Sequence, residues 1–416
     1  MGKKLKVLMM GGARVGKSSA LAAVMESFIF GKVSSILTAE DKTSHQVKNG
    51  ERQATIKEKL SDVKSMLKNN NGKTILVNSG KTTTYWDYKL KLNIPGSTDT
   101  MSIIFTDVNG EYFEDCCLES QKIKGLVKDY DVFIIAIDTP YMMEARNNDL
   151  VNSIINSKYN CIESIHTLLT YIDDSDGKDA KLVIFAPIKC EKWAQNETLD
   201  NVTKSVQEDY KTSLIALEKY KSVQIEIIPI QTIGSIVFHE HAEAFIFKYT
   251  KRRFIFSKKE YTAKCAVLPD NKVRLSDGKL LDSNSGKLEL DMDAVLIPGT
   301  DIMRPNTWFK VQSAEYKPHN CEQLAFHILD FMLSKVMDAK ISKEENENIF
   351  IAGIRGIFNF ALNVFTLGLW SKLKDIFGSI SIEKMAAIIT KMNDMNLIKR
   401  EGEGIVILKK CNFKKM

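Results

Sequence analysis

Apolar positions along this chain fall into runs of two kinds. Continuous, β-prone runs recur at "LKVLMM", "YKLKLNI", "MSIIFTDV", "DVFIIAID", "KLVIFAP" and "VQIEIIPI", most of them separated by helix-compatible stretches. Runs of this kind suit strands buried on both faces, and strands alternating with helices argue a mostly parallel sheet covered on both sides. The pattern predicts an α/β protein. Three segments read as additions to that core. Residues 35–83 include a helix-periodic stretch with Ile56, Leu60, Val63 and Leu67 on one face. Residues 240–316 carry the turn pairs "DN", "DG" and "NSG" between short β-prone runs, the pattern of a β-rich insertion. After it, "NCEQLAFHILDFMLSKVM", with Asn320 and Gln323 spaced as a capping box, would return the chain to the core as a helix.

The texture changes near residue 345. "IFIAGIRGIFNFALNVFTLGLW" is nearly long enough to cross a bilayer, but as a helix it would align Arg355, Asn359, Asn363 and Thr366 in one polar stripe. That stripe suits a helix packed on protein or lying at a membrane surface. Beyond it, "SIEKMAAIITKMNDMNLIKREGEGIVILKK" reads as an amphipathic helix and a hairpin, as in a small C-terminal cap or a winged-helix module. The expected organisation is a domain over 1–338 with insertions at 35–83 and 240–316, then a helical and hairpin module over 345–416.

Composition narrows the partners. The chain has 416 residues, 44% hydrophobic and 26% charged, enough for a full-sized core. Its net charge of +6 is small beside 58 basic and 52 acidic residues, so no nucleic-acid partner is expected. The start, "MGKKLKVLMMGG", passes straight into a glycine loop without the features of a signal peptide. Seven cysteines with no Cys-x-x-Cys pair fit a reducing compartment. The expectation is a cytoplasmic protein, with peripheral membrane contact or self-association through 349–370.

The chemistry is concentrated in "KVLMMGGARVGKSSALAAVM", where Gly11, Gly16, Lys17 and Ser18 satisfy Gly-x-x-x-x-Gly-Lys-Ser between an apolar strand and a helix-forming run. Gly11, Gly12, Ala13, Arg14, Val15, Gly16, Lys17, Ser18 and Ser19 are predicted to wrap a triphosphate. Glycines let backbone N–H groups turn inward, and the following helix adds the positive end of its dipole. Lys17 would bridge the β- and γ-phosphates and Ser18 would bind Mg²⁺. In "MSIIFTDVNGEYF" a strand delivers Asp107, suited to the Mg²⁺ shell, and Gly110, whose N–H can face the γ-phosphate. Arg14 either reaches the phosphates or faces solvent. In "FHEHAEAF", His239, His241 and Glu243 would share a strand face at a spacing that can hold a metal.

The order "GGARVGKSS", "DVNGE", "APIKCEKW" and "IQTIGSI" resembles the P-loop GTPases of the translation-factor-related (TRAFAC) class. Within that class it resembles uncharacterised bacterial GTPases, including the double-GTPase families, often predicted to act in conflict or signalling systems. The likeness covers most of 1–338. It implies a Ras-like P-loop NTPase fold with GTP or GDP and Mg²⁺ as ligands. Ile188, Lys189, Cys190 and Glu191 stand where the family has Asn-Lys-x-Asp, which leaves Lys189 to lie over the base and Glu191 to accept from guanine. Thr232 stands where the family's backbone touches the guanine oxygen. The switch threonine, also a metal ligand, falls among Thr82, Thr83 and Thr84, with Thr83 preferred. Glu111 replaces the water-orienting Gln of Ras-like members, so slow turnover is expected from a catalytic set of Lys17, Thr83, Gly110 and Glu111. The implied function is a Mg²⁺-dependent GTP-binding and GTP-hydrolysing switch acting through a protein effector or regulator. The alternatives are a nucleotide-dependent scaffold or membrane-associated binding protein with little hydrolysis, and a P-loop ATPase.

Overall fold

All six continuous apolar runs form strands, and the order in which they pair is fixed by helical crossovers. The computed structural model describes residues 3–341 and 404–409, except 36, 45, 49–50, 78–84, 94–99, 115–126, 148–149, 173–179, 255–256, 293, 295 and 297–302. Strand β1 (Lys3–Met10) lies at the middle of the main sheet. The chain then forms β2 (Thr38–Asp41), a small hairpin of β3 (Val47–Lys48) and β4 (Glu51–Arg52), β5 (Thr74–Leu76), β6 (Trp86–Asn93) and β7 (Thr100–Asp107). It continues through β8 (Val132–Asp138), β9 (Lys181–Ile188) and β10 (Val223–Ile227).

With the C-terminal strand β18 (Val406–Lys409), the main sheet has eight strands in the order β18-β10-β9-β8-β1-β7-β6-β2. The five strands from β7 to β10 in that order are parallel, whereas β2, β6 and β18 pair antiparallel at the two margins. Parallel neighbours need long crossovers, supplied by helices on both faces. These are α1 (Lys17–Ile29), α2 (Ile56–Asn70), α3 (Glu111–Glu114), α4 (Thr139–Glu144), α5 (Leu150–Tyr159), α6 (Ile162–Leu169), α7 (Glu191–Gln195), α8 (Leu199–Asp209), α9 (Lys211–Glu218) and α10 (Cys321–Ile341).

The sheet separates two hydrophobic cores, and alternation along each strand shows how. Leu5, Val7 and Met9 of β1 face a core shared with Leu21 and Phe28 of α1 and with Leu324, Ile328 and Leu329 of α10. Leu8 and Met10 face the other, shared with Ile165 and Leu169 of α6, Val202 and Val206 of α8, and Leu217 of α9. β8, β9 and β10 are buried on both faces, and the runs of β8 and β9 accordingly show little polar alternation, whereas β6 alternates buried with half-buried or exposed positions.

The additions are real elements placed around this frame. Thr55 caps α2 by a reciprocal pair with Glu58, and Ile56, Leu60 and Leu67 are buried beneath it. β5, β11 (Ile236–Ala242) and β17 (Asn306–Val311) form a three-stranded sheet from distant segments. A five-stranded antiparallel sheet holds β12 (Phe245–Phe254), β13 (Ser257–Leu268), β14 (Lys272–Leu275), β15 (Leu280–Asp282) and β16 (Gly286–Leu290). The helix after it forms as expected, but Asn320 is no capping-box residue: its φ is 61° and its Nδ2 donates to the Pro229 carbonyl at 3.0 Å. Of the module expected over 345–416, the apolar stretch 349–370 and most of the remainder lie outside the described residues. The described strand β18 joins the main sheet, and Lys409 Nζ fastens it by donating to the carbonyls of Leu217, Glu218 and Tyr220.

Candidate functional site

The site forms where β1 hands over to α1. Gly11 and Gly16 adopt φ of 132° and 113°, values that residues with a Cβ rarely reach, and Arg14 sits left-handed between them at 62°. This turns the loop back on itself before α1 starts at Lys17. Val15 is fully buried and Ala13 nearly so, whereas the Arg14 side chain is exposed. Lys17 is itself buried, and its Nζ donates to the carbonyls of Gly11 at 2.8 Å and Gly12 at 2.7 Å. An ammonium held inside the loop is a preplaced positive charge for an anion.

Beside it, Ser18 Oγ donates to Asp107 Oδ2 at 2.5 Å, across the junction of α1 and β7. Asp107 is completely buried, and its Oδ1 has no hydrogen-bond partner among the described residues. A buried carboxylate with an unused oxygen next to a hydroxyl is a costly arrangement unless something cationic shares it. Two hard oxygen donors fit a hydrated Mg²⁺, which keeps most of its waters and takes few protein ligands.

Gly110 follows on the loop after β7 and lies against the phosphate-loop backbone: a Cβ there would come within 2.2 Å of Ala13 N and 2.3 Å of Ala13 Cα. Only glycine fits. Glu111 is exposed and tied to its own loop, with its N–H donating to Asn109 Oδ1 at 3.1 Å and Asn109 Nδ2 donating to Glu111 Oε2 at 3.2 Å. Thr83, together with Thr82 and Thr84, lies outside the described residues.

The base-side residues converge differently. Lys189, left-handed at φ 62°, ion-pairs through Nζ with Asp138 Oδ2. Asp138 is fully buried, which pushes its carboxyl up, and the Lys189 charge opposes that rise. Glu191 is also buried, and its Oε1 accepts from the backbone N–H of Ile233 at 3.2 Å and Gly234 at 3.0 Å. Burial pushes this carboxyl up as well, with the Gly234 and Ile233 amides pulling it down. Thr232 is buried at the mouth of the same loop. His241 does not gather ligands. A register shift between Phe238 and Glu240 interrupts the strand, and the His241 ring stacks on Tyr141 at 4.2 Å, where burial pushes its pKa down to about 3. Among the described residues no group of three or more His, Cys, Asp or Glu side chains is arranged to hold a metal.

Two cavities meet at the phosphate loop. The larger, about 430 Å³, runs from Lys17 and Ser18 past Thr232 to Lys59, Val63 and Tyr316, a volume in the range of small-molecule sites. The smaller, about 90 Å³, lies between Lys189, Tyr141 and Arg304. Arg14, Gly16, Ser19, Thr232 and Ile233 line both. The structure thus brings Lys17, Ser18, Asp107 and Gly110 together at one end, and Lys189, Glu191 and Thr232 together beside it.

Sequence reasoning missed Arg304, which is buried with its guanidinium 4.0 Å over the Tyr159 ring and Nη1 3.5 Å from the Ala13 carbonyl. It also missed the wall made by α2 and Tyr316. Neither carries a motif, because both reach the loop through long-range folding of the insertions.

The sheet order and the strand–loop–helix at Gly11–Ser18 define the fold as that of a P-loop NTPase. No protein-family profile matches the chain, and no curated protein does. Among solved structures, the chain is similar to the GTPase-like domain of Ski7 from S. cerevisiae, crystallised with GDP and inorganic phosphate. The identity is 11%, the TM-score 0.29, and the match spans 74% of this chain and 75% of that one. The same domain bound to GTP aligns at 11% identity and a TM-score of 0.28 over the same shares, 74% and 75%. The RocCORdC portion of Roco2 from Methanosarcina barkeri, bound to GDP, aligns at 12% identity and a TM-score of 0.20, over 55% of this chain and 44% of that one. At these scores the superpositions add nothing to what the sheet order and the loop already define.

Proposed function

We propose that this protein is a Mg²⁺-dependent GTP-binding switch with slow intrinsic hydrolysis, acting through a protein partner. The observation that carries the reading is the contact of Ser18 with Asp107, whose second oxygen is buried without a partner among the described residues, next to an ammonium already inside the loop. Bound Mg²⁺ would be held by Ser18 and Asp107 and would offset charge on the β- and γ-phosphates. Lys17 would exchange its two carbonyl partners for phosphate oxygens. The loop amides and the α1 dipole orient the triphosphate for in-line attack by water, which needs positioning more than covalent chemistry. Gly110, packed on Ala13, would offer its N–H to a bound γ-phosphate, and a shift of this glycine would carry α3 with it.

Slow turnover follows from Glu111, a carboxylate beside developing negative charge and tied to Asn109. That same observation favours a second reading, a nucleotide-dependent scaffold that hydrolyses little. The preference for guanine rests on Glu191, the one acidic residue in the base-side loop, since guanine offers donors at N1 and N2 whereas adenine offers no donor at N1. Chromatography of nucleotide extracted from the purified protein, followed by competition titrations of GTP against ATP with and without Mg²⁺, tests the proposal. Guanine nucleotide and Mg²⁺-dependent GTP binding are expected. Equal or tighter binding of ATP would make the protein a P-loop ATPase instead.

A further inference from the structure

The larger cavity has a second wall, built by β6 and α2, and that wall carries oxygens the chain leaves unsatisfied. Tyr88 of β6 is completely buried and lines the cavity together with Lys17, Ser18 and Gly110, yet its hydroxyl has no hydrogen-bond partner among the described residues. Trp86 stands opposite Asp107 across the β6–β7 pair and Tyr88 opposite Phe105, so alternation puts Tyr88 and Asp107 on one face of the sheet. Asp107 Oδ1 is the second such oxygen. The third is Oε1 of Gln53, a residue 1% exposed whose Nε2 donates to the Asp87 carbonyl at 2.9 Å, a bond that sets which way the amide points. Buried acceptors without partners are costly, and three of them around one site call for a ligand that donates.

The same wall brings cations. Arg52 is already committed, ion-paired with Glu58 at 2.6 Å. Lys59 of α2 is half-buried, forms no ion pair among the described residues, and lies with Nζ 5.2 Å from the Tyr88 ring centroid. Asp62, three residues further along α2, lines the cavity too but is exposed to solvent. Burial pushes the Tyr88 phenol up, Lys59 opposes that rise and Asp107 adds to it, so both charges are felt at the hydroxyl. Lys59 and Gln53 flank the phenol without reaching hydrogen-bond geometry.

We propose that this wall reads the terminal phosphate and its metal: Tyr88 and Gln53 accept from water in the Mg²⁺ shell beside Asp107, and Lys59 pairs with the γ-phosphate. The inference rests on the reading of the site as one for Mg²⁺ and a triphosphate, and it adds to that site residues no motif marks. Water bound to a divalent cation is a strong donor, the group that all three oxygens lack. An ammonium on a flexible stem can follow a phosphate oxygen without a fixed geometry. A diphosphate would leave Lys59 without that partner. Helix α2, anchored in the core by Ile56, Leu60 and Leu67, would then be held more firmly by a triphosphate than by a diphosphate.

Titration of the full-length protein with fluorescent GTP and GDP analogues over a range of Mg²⁺ concentrations tests this. K59A should weaken binding of the GTP analogue about tenfold while leaving the GDP analogue within about twofold, and K59R should recover most of the loss. Y88F should raise the Mg²⁺ concentration needed to hold the GTP analogue by about tenfold. Because the Tyr88 hydroxyl meets no partner among the described residues, Y88F should also keep or raise the melting temperature of the nucleotide-free protein, where loss of a structural hydrogen bond would lower it. The contrast concerns phosphates alone, so adenine analogues serve equally. Three results would overturn the inference: a lower melting temperature in Y88F, an unchanged Mg²⁺ requirement in Y88F, or a K59A variant that weakens both analogues equally or neither. Each would leave the parent reading standing as long as the native chain binds the triphosphate with Mg²⁺. A native chain that binds neither analogue would bring down both.

Discussion

The two ends of the nucleotide site are built on different principles. At the phosphate end a buried carboxylate oxygen is left over: Lys17 donates to the Gly11 and Gly12 carbonyls inside the loop, while Asp107 keeps an oxygen without a partner among the described residues. At the base end the polar groups point at each other, Lys189 to Asp138 and Glu191 to the amides of Ile233 and Gly234. The phosphate end stores an unmet electrostatic demand and is paired by binding. The base end is satisfied beforehand, so a base must compete with bonds already made, and discrimination there should be shallow.

The sharpest way to break this comparison is Lys17→Ala or Asp107→Ala. Each should lower Mg²⁺-dependent GTP affinity by about a hundredfold or more, measured with a fluorescent GTP analogue, while the fold persists. If the two ends were equivalent, Lys189→Ala would do the same; it should instead have a far smaller effect. Gly110→Ala comes next. Its Cβ would meet Ala13 backbone at 2.2 Å, so the loops must part, at about 1–3 kcal/mol of stability. Chemical denaturation should show that loss, with nucleotide exchange faster than in the native protein.

Glu191→Ala probes the base end. Leaving the Ile233 and Gly234 amides without their acceptor should cost about 1–3 kcal/mol of stability and flatten the GTP preference. Glu191→Gln keeps an acceptor for those amides and should lose the preference alone, as read in GTP–ATP competition. The smallest effect concerns pH. The His241 pKa is lowered from 6.5 to about 3, so the unfolded chain takes up a proton that the folded one refuses. Stability is complete above the unfolded value and is lost as pH falls toward 3. Between pH 7 and 5.5 the loss should be about 1 kcal/mol, visible in urea midpoints and absent in His241→Phe, which keeps the stack on Tyr141.

These contrasts also show what the sequence could and could not display. Strands such as β8 and β9 were legible because both faces are buried, so their runs are apolar, and β6 was legible because Trp86, Tyr88, Leu90 and Leu92 alternate with polar positions. The loop from Gly11 to Ser18 was legible because backbone conformation and ligand chemistry dictate residue type at fixed spacing. Arg304 was not, since a guanidinium lying on Tyr159 needs no pattern around it, only a chain that returns from an insertion. The three-stranded sheet was hidden for the same reason: β5 and β17 lie far apart in sequence. Glu191 was legible as a carboxylate in the right place, but not the amides it binds, which depend on how closely two loops approach. The pairing of β18 with β10 was equally invisible, because four half-buried residues look the same in a hairpin as at a sheet margin.

That last pairing gives the sheet margin a seal drawn from the far end of the chain: Val406–Lys409 covers the outer edge of β10. A chain stopped short of Gly404 would lay bare the N–H and C=O groups of β10, a ready template for a neighbouring molecule. The shorter chain would thereby acquire an adhesive edge that the longer one keeps covered.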